Sequence, residues 1–145
     1  AGAGHVAYTT RGDTGLVLRA VALDGTALAT LCDRPLWMPF LMAITDGRVV
    51  FHRALAGQLE GGQVFSVNLD GGDLQALGTD VVGDASSLWP AMDQDFETIT
   101  PAGRVIFEAE FEGILDTRLL STTAGSTKAW KITSANRIRF AGLVR

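Results

Sequence analysis

Three times along this chain one phrase recurs: glycine, any residue, valine, any residue, aromatic. The copies are Gly4-His5-Val6-Ala7-Tyr8, Gly47-Arg48-Val49-Val50-Phe51 and Gly103-Arg104-Val105-Ile106-Phe107. Their glycines lie 43 and 56 residues apart. A second alternating run follows each copy, ending in Leu23-Asp24-Gly25, in Leu69-Asp70-Gly71 and, more degenerately, in Thr123-Ala124-Gly125. A repeat of this period constrains architecture before anything else does, because units that cannot bury a face alone must stack and share a core.

The third repeat reads most clearly as four strands. Phe96-Glu97-Thr98-Ile99-Thr100 forms a first, and Pro101-Ala102-Gly103 turns the chain. From Arg104 to Glu112 the residues alternate, with Val105, Phe107, Ala109 and Phe111 on one face and Glu108, Glu110 and Glu112 on the other. Period-two alternation over this length predicts a strand. Residues 117–123 and 127–133 supply the third and fourth strands around an Ala124-Gly125-Ser126 turn. The second repeat offers 41–45, 48–54, 63–69 and 74–78, with Asp70-Gly71-Gly72-Asp73 as a hairpin turn that tolerates positive φ. No segment sustains the 3,4 spacing of an amphipathic helix, so the expected fold class is all-β.

The first repeat is short of one strand. Residues 5–10, 16–23 and 26–31 supply three, and only Ala1-Gly2-Ala3 stands where the first belongs. A matching segment lies at the other end, where Phe140-Ala141-Gly142-Leu143-Val144 aligns with Phe96–Thr100 and with Leu41–Thr45. The spacing agrees: Leu31 to Thr45 is 14 steps and Trp130 to Val144 is 14. The chain is therefore read as one domain, 1–145, of three repeats: 4–31 completed by 140–144, then 41–78, then 96–133.

Composition narrows the partners. Hydrophobic residues make up 47% and charged residues 19%, with a mean hydropathy of +0.22. The apolar residues come in short runs, far from the roughly 18 consecutive ones a membrane helix needs, so no membrane partner is expected. Their excess belongs in a core or against another chain. A net charge of −4 argues against nucleic acid, which requires clustered Lys and Arg. One cysteine, Cys32, excludes an internal disulfide, and one Cys with two His is a poor zinc set. No targeting segment is visible; a removed leader is compatible with Ala1 in place of Met.

The phrases resemble the blades of TolB-type β-propellers. The second repeat carries the likeness best, in Thr45-Asp46-Gly47-Arg48-Val49-Val50-Phe51 and Val64-Phe65-Ser66-Val67-Asn68-Leu69-Asp70-Gly71-Gly72. The likeness extends over essentially the whole chain. It implies four-stranded blades and the family's closure, in which a strand from one terminus completes the blade begun at the other. Single rings usually hold 4–8 blades, so three leave a wedge open. The expected closure is a homodimer forming a six-bladed ring, with Phe140, Leu143 and Val144 of each protomer entering beside Val6 and Tyr8 of the other. A β-trefoil, also three repeats of four strands, is the alternative and would close as a monomer.

The resemblance also implies a ligand-bearing rim at the channel. The inter-blade loops that would form it hold Arg34, Trp37, Trp89, Asp93 and Asp95. Two aromatics there suit a sugar or a peptide, but covering the ends of the hydrophobic blade interfaces is the favoured reading of them. Asp80, Asp84, Asp93 and Asp95 lack the ligand spacing of a calcium loop, so no metal is expected. The three glutamates of 108–112 are expected to face solvent. His5, His52 and Cys32 lie in no nucleophile motif, and Trp130 is read as packing. No catalytic constellation and no cofactor motif emerge. The functional expectation is a self-assembling binding module for a protein or small ligand. The alternatives are a propeller enzyme of lyase or hydrolase type with a shared channel-mouth site, or a fragment of a longer propeller.

Overall fold

The computed structural model describes residues 4–13, 15–36, 42–54, 62–82, 91–111 and 117–135. Every regular element among them is a β-strand: β1 (His5–Gly12), β2 (Gly15–Ala22), β3 (Ala29–Leu36), β4 (Met42–Thr45), β5 (Arg48–Ala54), β6 (Gly62–Asn68), β7 (Gln75–Ala76), β8 (Asp80–Val82), β9 (Ala91–Ile99), β10 (Arg104–Phe111), β11 (Thr117–Thr123) and β12 (Lys128–Ala135). They form three sheets in chain order, β1-β2-β3, β4-β5-β6-β7 and β8-β12-β11-β10-β9. Apart from β8, each sheet is an antiparallel meander of one repeat. Sheets built repeat by repeat rule out the β-trefoil alternative.

The glycine of the repeated phrase sets the entry to each second strand. In the second repeat Asp46 (φ 50°) and Gly47 (φ 71°) are both left-handed, between the paired residues Thr45 and Arg48. Two consecutive positive φ values make a type I′ hairpin, whose twist matches that of the strands it joins. In the third repeat a longer turn, Pro101-Ala102-Gly103, is closed by Gly103 N–H donating to Thr100 O at 2.9 Å.

Alternation then sends side chains to both faces of each sheet, and the core divides accordingly. Val49, Phe51 and Val67 join Leu18, Ala20, Leu31 and Cys32 in the seam between the first and second sheets. Val50, Val64 and Leu77 meet Val105, Phe107 and Leu120 in the seam between the second and third. The Phe51 and Phe65 rings stack with centroids 6.0 Å apart. Full burial of Phe51 and of Phe107 contributes about 1.5–3 kcal/mol each. The aromatic of the repeated phrase is thus the plug of the seam before its own sheet.

Three strand boundaries depart from the sequence expectation. β3 runs on to Leu36, opposite Leu16, because its pairing with β2 shifts register twice. Pro35 is tolerated there because β3 lies at the sheet edge, where a missing N–H breaks no ladder. Arg34 therefore lies on a strand rather than in an inter-blade loop. β9 begins at Ala91, so Asp93 and Asp95 also lie on a strand, opposite Glu110 and Glu108. Finally, β8 was not expected at all: three residues after the second repeat pair in parallel with the outer edge of β12.

Candidate functional site: the two end faces

Of the expected rim, Trp37 and Trp89 lie outside the described residues, as do Phe140, Leu143 and Val144. The backbones of Arg34, Asp93 and Asp95 lie in β3 and β9, while Val6 and Tyr8 lie in β1. Among the described residues β1 has a strand neighbour on one side only, β2.

The best-defined polar construction grows from the repeated phrase itself. Arg48 is buried, and its Nε donates to Ser66 Oγ at 3.1 Å. Nη1 donates to Asn68 Oδ1 at 2.5 Å and to Asp73 Oδ2 at 2.9 Å, and Nη2 to Asp73 O at 2.6 Å. Ser66 Oγ in turn donates to the Ala124 carbonyl of the third sheet. A buried guanidinium is tolerable only when its donors are matched in this way. The hydrogen bond from Arg48 holds the Asp73 carboxyl below the ordinary aspartate value of 3.8, with a second from Gln75 adding to it. Asp24 is likewise lowered, by the hydroxyl and amide of Thr26.

The third repeat copies the arrangement on a different background. Arg104 Nε donates to Ser121 Oγ at 2.8 Å, but no further sheet follows among the described residues. The guanidinium instead lies 5.2 Å from the ring centroid of Trp130, whose side chain is 44% exposed. Trp130 is therefore a partly open surface under a cation, as well as packing. In the first repeat His5 stands in the arginine position and Ala20 in the serine position, by the pairing of His5 with Ala22.

Register aligns the three repeats, and several equivalent positions differ in burial where no neighbouring sheet lies among the described residues. Val49 and Val105 are fully buried, whereas Val6 is 44% exposed. Leu69 packs in the first seam and Ala124 in the second, whereas Leu23 is exposed. Their equivalence shows in a shared bond: Leu23 N–H donates to Gly4 O and Leu69 N–H to Gly47 O. On the other side, Leu31 and Leu77 fill the two seams, whereas Ile132 is 53% exposed. Both Leu31 and Ile132 sit at register shifts, between paired neighbours. The first sheet thus presents an entry face (Val6, Tyr8, Arg19, Val21, Leu23) and the third an exit face (Glu108, Glu110, Leu119, Trp130, Ile132). Ile106 and Ser121 form the buried floor of the exit face. Sequence reasoning passed over Arg19, Leu23 and Ile132. Aligning the Leu-Asp-Gly runs behind each copy of the phrase would have found Leu23.

Elsewhere the chemistry-bearing side chains do not converge among the described residues. Among the described residues no three of His, Cys, Asp and Glu gather as a metal set. Cys32 is buried in the first seam. His52 Nε2 is buried beside Gly62 without a hydrogen-bond partner among the described residues.

Sequential meanders stacked face to face, each with its aromatic plugging the seam before it, define an all-β protein of propeller-type fold. That fold is shared with a solved structure, "Oligogalacturonate lyase in complex with manganese", at a TM-score of 0.56 and 17% sequence identity. The match covers 83% of this chain and 31% of that chain, so the chain spans about a third of the lyase's length. No protein-family model matches the chain, and no curated protein sequence matches it.

Proposed function

We propose that this chain is a TolB-type propeller module that completes its ring with a second copy of itself and presents a rim for a protein or small ligand. The observation that carries the reading is the contrast at one repeated position: Val49 and Val105 have no exposure and Val6 has 44%. A residue built to sit inside a seam stands at a seam with one wall. Two copies supply six blades, within the usual 4–8 of a ring, and closed symmetry is the common outcome for homo-oligomers. In this reading Phe140–Val144 of each protomer adds to the free edge of β1 in its partner, beside Val6 and Tyr8. Trp37, Trp89 and Arg34 mark the rim, with Asp93 and Asp95 on the strand beneath it. The molar mass in solution, by sedimentation equilibrium, is expected to be that of two chains; the mass of one chain overturns the reading.

The likeness to oligogalacturonate lyase favours a second reading, a propeller enzyme of lyase or hydrolase type whose channel-mouth site is completed by blades outside this chain. Those blades come either from a second copy or from a longer polypeptide. Incubation with oligogalacturonate and manganese, followed by absorbance of an unsaturated product, tests it. Wild-type protein that assembles and releases no product leaves the binding module as the reading.

A further inference from the structure

We propose that the entry face of one copy docks on the exit face of a second, in the register of the two internal seams, with Arg19 of the first meeting Glu110 of the second. The inference rests on the self-assembly proposed above and adds its geometry. The molecule shows twice how such faces fit. Ser66 donates to the carbonyl of Ala124, the residue after the cross-strand partner of Arg104. Transferred by one repeat, Ser121 meets Leu23, which follows the partner of His5. Ile132 then takes the place of Leu77, and Tyr8 that of Phe107, whose ring tip lies against Gly78.

Charge distinguishes this seam from the internal ones. Arg19 pairs across the strands with Tyr8, as Phe65 does with Phe51 and Leu120 with Phe107. An arginine therefore stands where the internal seams hold apolar side chains. Arg19 is half-buried, and neither an ion pair nor a hydrogen-bond partner for its Nε lies among the described residues, so its charge has no counterion there. The exit face offers an exposed carboxylate at Glu110, on the C-terminal half of β10. That half corresponds to the Tyr8–Gly12 half of β1, beside which Arg19 lies. Arg19 and Glu110 are opposite in charge and stand on different faces, so each face binds the other rather than itself.

The test exchanges the charges in the full chain. Arg19→Glu alone, and Glu110→Arg alone, are each expected to weaken dimerisation about a hundredfold, since the two-fold axis repeats the contact at both seams. An equimolar mixture of the two variants restores every contact and should form a heterodimer with near wild-type affinity. A second arm puts Leu23→Cys and Ser121→Cys in a Cys32→Ser background, where oxidation is expected to link two chains covalently. Circular dichroism confirms that each variant is folded. A wild-type mass of one chain overturns the self-assembly reading and this inference with it. A wild-type dimer indifferent to the charge exchange, unrestored by mixing and not cross-linked through the cysteines, overturns this inference alone.

Discussion

Replacing Gln94 with leucine tests whether a side-chain amide stands in for a missing rung of a β-ladder. Gln94 is buried in β9, and it reaches out of its own sheet. Its Oε1 accepts from Val64 N–H at 2.9 Å, and its Nε2 donates to Leu77 O at 3.3 Å. β7 ends at Ala76, where the chain swings away through Gly78 at φ 64°, leaving those two backbone groups facing the seam. Leu77 N–H still donates to Val64 O at 2.8 Å, and Gln94 bridges the two groups whose reciprocal bond is open. Leucine has nearly the same bulk but strands a buried N–H and a buried C=O, each costing about 1–3 kcal/mol. With roughly 1 kcal/mol returned by the more apolar side chain, the net loss is about 1–5 kcal/mol. That is a large share of the 5–15 kcal/mol typical of a domain. With a urea slope of about 1–3 kcal/mol/M, the middle of both ranges lowers the midpoint by about 1.5 M at fixed protein concentration. Gln94→Glu supplies a control. Its carboxylate accepts from Val64 but cannot donate to Leu77, and burial raises its folded pKa, so this variant regains stability as pH falls. If Gln94→Leu unfolds within about 0.5 kcal/mol of wild type, the surface-substitution range, the bridging role is wrong.

Gly78→Ala would place a Cβ 2.2 Å from the tip of the Phe107 ring on a left-handed backbone, and is expected to cost about 2–4 kcal/mol. Combined with Phe107→Leu, which retracts the tip, the loss should fall well short of the sum of the single losses; strict additivity in urea melts would refute the contact. Arg48→Ala should cost about 2–4 kcal/mol by stranding buried acceptors, whereas Arg104→Ala, at the same position of the phrase, should cost no more than about 1 kcal/mol and alter Trp130 fluorescence. Asp73 has its carboxyl pKa depressed in the folded state by Arg48. Its contribution is therefore complete above the ordinary 3.8 and is lost as pH falls through the depressed value. Asp73→Asn should be less stable than wild type near neutrality, with the gap closing in acid; a gap that persists in acid would contradict the assignment.

The fold was legible where alternation is long and its ends are punctuated. β5 and β11 begin and end where the pattern places them, because Asp46-Gly47 and Ala124-Gly125 mark turns that only certain residues accept. The strands that escaped have no such marks. β8 is three residues long, too short for any period, and its partner lies in another repeat. β9 starts among acidic residues that read as a loop, and β3 continues through a proline because it has one neighbour only. The end faces were half legible. Val6 and Tyr8 stand out from the phrase, but Arg19 and Ile132 acquire meaning only from register, which local sequence does not carry. Gln94 belongs to the same class, since nothing near it in sequence shows that Val64 and Leu77 need a partner.

The pairing of β8 with β12 also bears on the order in which the chain acquires structure. The first sheet consists of contacts between strands adjacent in sequence, so it can form as soon as Leu36 has been synthesised. Asp80, Val81 and Val82 must wait for Lys128, Ala129 and Trp130, an entire sheet later. Such non-local closure is slow, because the loop must be ordered before the contact rewards it. Until it forms, the outer edge of the third sheet and the seam holding Val81 are both incomplete. The second and third sheets are therefore fastened into one late cooperative unit behind an early, local first sheet. Amide protons of β8 and β12 should gain protection together in a refolding pulse, after those of the β1–β2 hairpin.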